Sequence, residues 1–269
     1  MSAQRVEAGA RSPAVSVIIP TCDRPALLPR ALASVRAQTL SPAEILVVDD
    51  GIDDRARPRV DDADVRVVAN THARGASGAR NCGAAQARGV LLAFLDDDDE
   101  WLPAYLATAL TRVAAERLDV LCTDLLYRHD EDGGERPGKQ APQVLDARAF
   151  LTHNPGLVGS NLVIRATTYA ALGGFDESLL TAEDMDFGIR LSLHGGLRYA
   201  PLRERLVAHH QHRRPRLCTR RGEAMRAGIR RFFALHGARM DGAQREAFRQ
   251  AMQRLWGIDE FGHDLEPLP

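Results

Sequence analysis

A rhythm of short apolar runs, each separated by a stretch of helical spacing, constrains this chain more than any other feature. "AVSVIIP" (14–20), "EILVVDD" (44–50), "VRVVAN" (65–70), "VLLAFL" (90–95) and "LDVLCTDLLY" (118–127) are rich in aliphatic and β-branched residues. They are too short for buried helices and read as buried strands. Between them, Pro25 opens a helical pattern through Gln38 with Leu27, Leu28, Ala31, Leu32 and Val35 on one face. "GASGARNCGAAQARG" (75–89) reads as a close-packed helix of small residues, and Pro103 starts another that runs to Glu116. Strand and helix alternate about five times, the pattern of a mainly parallel, doubly wound α/β sheet flanked by helices.

The rhythm changes after Tyr127. "RHDEDGGERPGKQAP" (128–142) is polar and turn-rich, a mobile loop or hairpin tip. "GLVGSNLVIR" (156–165) is strand-like, "EDMDFGIRLSLHG" (183–195) is a helix closed by glycine, and "LRYAP" and "ERLVAHH" are short strands. Helices over about 218–236 and 241–256 form a C-terminal elaboration. Residues 1–13 lack an apolar core and read as a disordered tail rather than a secretory signal. A net charge of −1 singles out no nucleic acid partner. The four cysteines, Cys22, Cys82, Cys122 and Cys218, are scattered, which fits reduced thiols in a cytoplasm better than a disulfide or zinc framework.

Ligands of open α/β sheets bind outside the C-terminal strand ends, and acidic residues fall there repeatedly. "VVDD" places Asp49 and Asp50 at the end of the second strand, and "FLDDDD" places Asp96 to Asp99 at the end of the fourth. A single such aspartate is commonly a cap or turn residue. Two clusters at one sheet edge are different. Neighbouring carboxylates repel one another. They become favourable when a hard divalent cation such as Mg²⁺ or Mn²⁺ neutralises them.

At this point the motifs form a known order. "VSVIIPTCDRPALLPRALASVRAQT", "EILVVDDGIDD", "GASGARNCGAAQARG", "LAFLDDDDEWLP", "GGFDE" and "AEDMDFGIRL" follow one another as in the family 2 glycosyltransferases, and the chain resembles them from Val15 to His212. The resemblance implies a GT-A fold over 14–212, a helical extension over 213–269, and inverting transfer from a nucleotide-sugar. It also implies site roles. The backbone around Pro20, Thr21 and Cys22 would wrap the base, and Asp50 would accept from a uracil or thymine imide. Arg80 would lie near the base or diphosphate. Asp96 or Asp97 would hold the ribose. Asp98 would be the metal ligand, with Asp99 a candidate because four aspartates leave the register open by one. His212 would lie near the diphosphate and metal, though a solvated loop explains "AHHQHRR" equally well. Asp184 would be the general base. Asp186 reads as a solvated or capping residue, and an acidic first turn favoured by the helix dipole is the plain alternative for Glu183 and Asp184.

The expected reaction is metal-dependent transfer, with Mn²⁺ or Mg²⁺, of a single sugar from a UDP- or dTDP-sugar to the hydroxyl of a glycan, lipid-linked or small-molecule acceptor. The Q-x-x-R-W element and membrane helices of processive relatives are absent from the sequence. Ten arginines between Arg203 and Arg231, against Glu204 and Glu223, suggest a cationic lid or a peripheral membrane contact. Two alternatives remain at this stage. A nucleotidyltransferase would carry a glycine-rich loop that "PTCDRPALLP" lacks. A non-catalytic binding or receiver-like module would lose Asp184 or the quartet, or keep a strand-end lysine. The only lysine is Lys139, in the polar loop.

Overall fold

A computed structural model of the chain describes residues 14–52, 58, 60, 63–211 and 223–256. The anticipated alternation is present. β1 (Val15–Thr21), α1 (Leu28–Arg36), β2 (Glu44–Asp49), β3 (Val65–Ala69), α2 (Ala76–Gln86) and β4 (Leu91–Phe94) form a doubly wound half. Here β3, β2, β1 and β4 are neighbours in register, all parallel. Period-two alternation along β1 sends Val17 and Ile19 to a core shared with α1, while Ile18 packs beneath α2. α1 starts three residues later than Pro25 suggests, because Pro29 occupies its first turn and Pro25 belongs to the turn before it.

The second half is mixed. β5 (Glu100–Trp101), α3 (Tyr105–Glu116), β6 (Val120–His129), β7 (Glu135–Pro137), α4 (Ala147–Phe150), β8 (Leu162–Arg165), α5 (Ala166–Ala171), α6 (Glu183–His194), β9 (Tyr199–Gln211), α7 (Glu223–His236) and α8 (Gly242–Trp256) follow in order. β8 inserts antiparallel between β4 and β6, and β6 pairs in parallel with β9. The nine-stranded sheet runs β3-β2-β1-β4-β8-β6-β9-β5, with β7 forming a hairpin on β6.

Three local expectations change. "LRYAP" and "ERLVAHH" are one strand, not two. Arg203 and Glu204, at the junction of the two runs, sit where the β6–β9 register shifts, so a bulge rather than a loop absorbs the break in the apolar pattern. Only the last four residues of 156–165 are strand; Gly159–Asn161 is a 3₁₀ turn. The short elements β5, α4 and α5 have no sequence signal of their own. β5 exists because its two residues pair with β9, and α4 is capped by Asp146 accepting from Arg148 N.

α1 and α3 cover one sheet face, and α2, α4, α6, α7 and α8 cover the other. α7 and α8 share that second core through Met225, Ile229, Phe232, Phe248 and Met252. None of the helices among the described residues is long and apolar enough to cross a membrane.

Candidate active site

Strand ends converge on one edge. Asp50 follows β2 and is nearly buried, its carboxylate accepting from Asn70 Nδ2 (2.6 Å) and from Gly75 N at the entry to α2 (2.9 Å). Arg74 holds the Asp50 carbonyl at 2.8 Å, and the Cys22 thiol donates to that carbonyl at 3.5 Å. Pro20, Thr21 and Cys22 pass beside this residue at the buried end of β1, where Asp50 N donates to Thr21 O. Burial, with Asp50 and Asp23 nearby, raises the Cys22 thiol pKa, so the thiol stays protonated. Cys22, Cys82 and Cys122 are free and buried.

The aspartate quartet after β4 divides into distinct environments. Asp97 is wholly enclosed, accepting from Thr21 Oγ1 (2.7 Å) and pairing with Arg24. Burial outweighs that arginine and pushes its carboxyl up to about 7. Asp96 keeps part of its side chain in solvent and takes Arg80 at 2.7 Å. Of the two ribose candidates, Asp96 is therefore the one whose carboxylate stays partly exposed, while Asp97 faces inward. Asp98 pairs with Arg24 at 3.1 Å. Asp99 is buried and accepts from Ser160 Oγ (2.6 Å) and the backbone N of His210 (3.1 Å), with His209 Nδ1 at 3.0 Å.

Asp96, Asp98 and Asp99 each offer an oxygen within 4.8 Å of the others. Three hard carboxylate oxygens gathered beside two arginines are a donor set that suits Mg²⁺ or Mn²⁺. His212 lies outside the described residues. The histidine found beside this cluster is His209, which the sequence pattern did not distinguish from its neighbours; only the pairing of β5 with β9 carries it to Asp99.

Arg80 connects the cluster to α6. It is buried, contacts Asp96 at 2.7 Å and Glu183 at 3.4 Å, and lies over the Phe175 ring. Burial alone would lower its pKa; Asp96, Asp184 and Glu183 outweigh that and raise it. Beyond it stands Asp184, in the first turn of α6 after Ala182, a non-glycine residue in the left-handed region at φ 61°. One of the Asp184 carboxylate oxygens, Oδ1, is buried without a hydrogen-bond partner. Burial first, then Glu183, raises its pKa well above the ordinary carboxylate range. Lys139, from the polar loop, lies close enough for its charge to act on Asp184 and donates to Asn154 O at 2.9 Å.

Asp186 corrects the sequence reading. It is neither solvated nor a plain cap. Only 2% exposed, it takes Arg190 at 2.6 Å and His236 Nε2 at 2.8 Å. Arg190 is its i+4 neighbour on α6, but His236 arrives only through tertiary packing, and that contact hid the anchoring role from the sequence.

Comparison with known proteins accords with this geometry. The family model for glycosyl transferase family 2 matches residues 16–173, more than half of the chain. The chain is 37% identical over 133 residues to the GalNAc(5)-diNAcBac-PP-undecaprenol beta-1,3-glucosyltransferase of Campylobacter jejuni, covering 47% of this chain and 43% of that protein. It is 30% identical over 221 residues to the validoxylamine A glucosyltransferase of Streptomyces hygroscopicus, covering 68% of this chain and 49% of that one. The chain thus spans half or less of the length of these curated relatives. Crystal structures of S. aureus TarS superpose with a TM-score of 0.64 at 22% identity for the complex with UDP-GlcNAc, covering 91% of this chain and 73% of that one. That likeness establishes a shared fold, a mixed sheet flanked by helices with a helical C-terminal part. The nucleotidyltransferase and binding-module readings fall away, and the chain belongs to the family 2 glycosyltransferases.

Proposed function

We propose that the chain transfers a single sugar from a UDP-sugar to an acceptor hydroxyl, with inversion and with the help of a divalent cation. The observation that carries this reading is the pairing across Arg80: a three-carboxylate cluster on one side and, on the other, Asp184 with an unpartnered oxygen. A carboxylate whose pKa burial raises is a stronger proton acceptor than an exposed one. Asp184 takes the proton of the attacking hydroxyl as the new bond forms at the anomeric carbon and the bond to the diphosphate breaks. Asp98, with Asp96 and Asp99, would hold Mg²⁺ or Mn²⁺, which when bound offsets the charge of the departing diphosphate. Asp96 orients the ribose. Asp50, steadied by Asn70 and Gly75, accepts from the imide of a uracil or thymine base, where adenine offers no matching donor. A crystallised fold relative, TarS, is in complex with UDP in one structure, which supports the same nucleotide here.

For the acceptor, two relatives that are glucosyltransferases acting on sugars linked to undecaprenyl diphosphate point to a lipid-linked sugar. A lipid-linked acceptor with peripheral membrane contact through the arginine-rich segment between Arg203 and Arg231, of which residues 212–222 lie outside the described residues, fits that chemistry. The relative matched over most of this chain acts on validoxylamine A, so a small soluble acceptor is the second reading.

A donor-hydrolysis screen tests the core of the proposal. UDP-glucose, UDP-GlcNAc, dTDP-glucose and ADP-glucose are each incubated with Mn²⁺, Mg²⁺ or EDTA, and release of nucleoside diphosphate is followed. Release from a UDP-sugar that EDTA abolishes and Mn²⁺ restores is expected. Preference for ADP-glucose, or release indifferent to EDTA, would overturn the nucleotide or the metal assignment respectively.

A further inference from the structure

We propose that α7 positions the base-bearing start of α6, with His236 as the positioning residue. The inference rests on the reading of Asp184 as the base and adds a part of the molecule that lies beyond the span matched by the family model, which ends at residue 173.

The loop 179–182 and the first turn of α6 are held from two sides. On the sheet side, α2 supplies Ser77, whose hydroxyl donates to Leu179 O at 3.4 Å, and Arg80, which reaches Glu183. On the opposite side, α7 makes three contacts at successive turns. At Gly228 the helix backbone lies so close to the loop that a Cβ would sit 2.8 Å from Thr181 Cγ2 and 3.0 Å from Thr181 N. Arg231 Nε donates to Ser178 Oγ at 2.9 Å. His236, at the C-terminal end of α7, meets Asp186 Oδ1 through Nε2 at 2.8 Å, and only 6% of it is exposed.

These contacts matter because the held segment is conformationally costly. Ala182 sits in the left-handed region with a Cβ, which persists only where surrounding structure enforces it. Asp184 Oδ1 has no hydrogen bond of its own to fix the carboxylate. Its placement therefore depends on the backbone of the turn. Asp186, two residues on, carries that backbone's anchor, since its other oxygen is taken by Arg190, which also donates to Leu172 O and Gly174 O. His236 completes the anchor from outside α6. Without it, the first turn loses its outer hydrogen bond to α7 at Asp186, and the carboxylate of Asp184 loses its register against Asp96 and Arg80. A displacement of about 1 Å of a reacting group can cost about a hundredfold in rate.

The test compares His236→Ala, His236→Gln and Asp184→Asn with the wild type. UDP affinity is read by calorimetry with Mn²⁺, turnover by hydrolysis of whichever UDP-sugar the wild type cleaves fastest, and backbone exposure by amide hydrogen exchange across 179–187. For His236→Ala, turnover per folded molecule should fall about ten- to a hundredfold, exchange across 179–187 should quicken, and UDP affinity should stay within about twofold, since His236 bonds Asp186 and not a nucleotide candidate. His236→Gln, whose amide can take the place of Nε2, should recover most of the loss. Unchanged exchange and turnover in His236→Ala overturn the proposal, as does a loss of UDP affinity in step with turnover, which would mark general loosening. Should His236→Ala fail to fold, Arg231→Ala alters only an exposed side chain of the same brace; quicker exchange around Ser178 and lower turnover support the proposal, and wild-type values for both overturn it. A fully active Asp184→Asn sinks the base reading instead, and the exchange data then report separately whether α7 holds the helix start.

Discussion

The acidic run after β4 and the acidic first turn of α6 face one another across Arg80, yet they are built in opposite ways. In the run, every carboxylate has a partner, some of them shared: Arg80 for Asp96, Thr21 and Arg24 for Asp97, Arg24 for Asp98, Ser160 and His209 for Asp99. Charge that would scatter the loop is answered locally, and a cluster of oxygens remains assembled. In the helix turn, the partners are unequally shared. Asp186 has two, while Asp184 keeps an enclosed oxygen with none. A buried polar atom left unsatisfied is costly, and such costs are retained where a group has work to do. The difference teaches that a row of acidic residues says nothing about which of them is spent on structure; the distribution of partners decides it.

The comparison breaks most easily at Asp184. Asp184→Asn keeps the shape and removes the proton acceptor, so transfer or donor hydrolysis should fall about 10²–10⁴-fold, with UDP affinity by calorimetry nearly unchanged. Full activity in that variant would move the base elsewhere.

Asp186→Ala should do the reverse. It strips a buried carboxylate from Arg190 and His236 and should destabilise the fold by on the order of 2–3 kcal/mol, somewhat below the usual range for a broken buried pair because Arg190 is partly exposed. The pH dependence follows. Burial works to raise the Asp186 pKa, but hydrogen bonds from His236 and Arg190 win and hold it below its ordinary value of 3.8. Its contribution is therefore complete above that value and drains away as pH falls through the lower, folded-state value. Denaturant melts from neutral pH down to about pH 3 should show a shallower acid loss for Asp186→Ala than for the wild type. Equal stability of the two proteins at neutral pH would show that the ion pair holds nothing together.

The smallest effect is expected in the run. Asp98→Asn exchanges one carboxylate among several and should leave the melting temperature near the wild type while weakening Mn²⁺-dependent UDP binding by about tenfold, or about 1.4 kcal/mol. Unaltered affinity in Mn²⁺ would shift the metal assignment to Asp96 and Asp99.

Much of this molecule was legible without coordinates. Apolar runs bounded by turn residues located β1 to β4 and the helices between them; β1, β2 and β4 are parallel strands buried along most of their length, which must be apolar, and β3 is a half-exposed edge strand that keeps its β-branched residues. Motif order was sufficient to identify the family and to nominate Asp50, Asp96 to Asp99 and Asp184 as candidates. The less legible parts share one cause. β5 is two residues long and exists only by pairing with β9; the bend in β9 is a bulge against its neighbour β6; β8 lies antiparallel between β4 and β6, just after the 3₁₀ turn at Gly159–Asn161.

What the amino-acid sequence determined by itself was local: where backbone is driven into strand or helix by burial and period, and which residue types stand at strand ends. What only the tertiary structure decided was the pairing of groups far apart in the chain. Arg80 to Glu183, Asp99 to His209 and Asp186 to His236 span 103, 110 and 50 residues respectively. Hydrogen bonds and ion pairs act over about 3 Å, so no periodicity records them. They are set by how α6, β9 and α7 return to the sheet edge, and that return settles which acidic residues are anchored and which one is left with an oxygen to use.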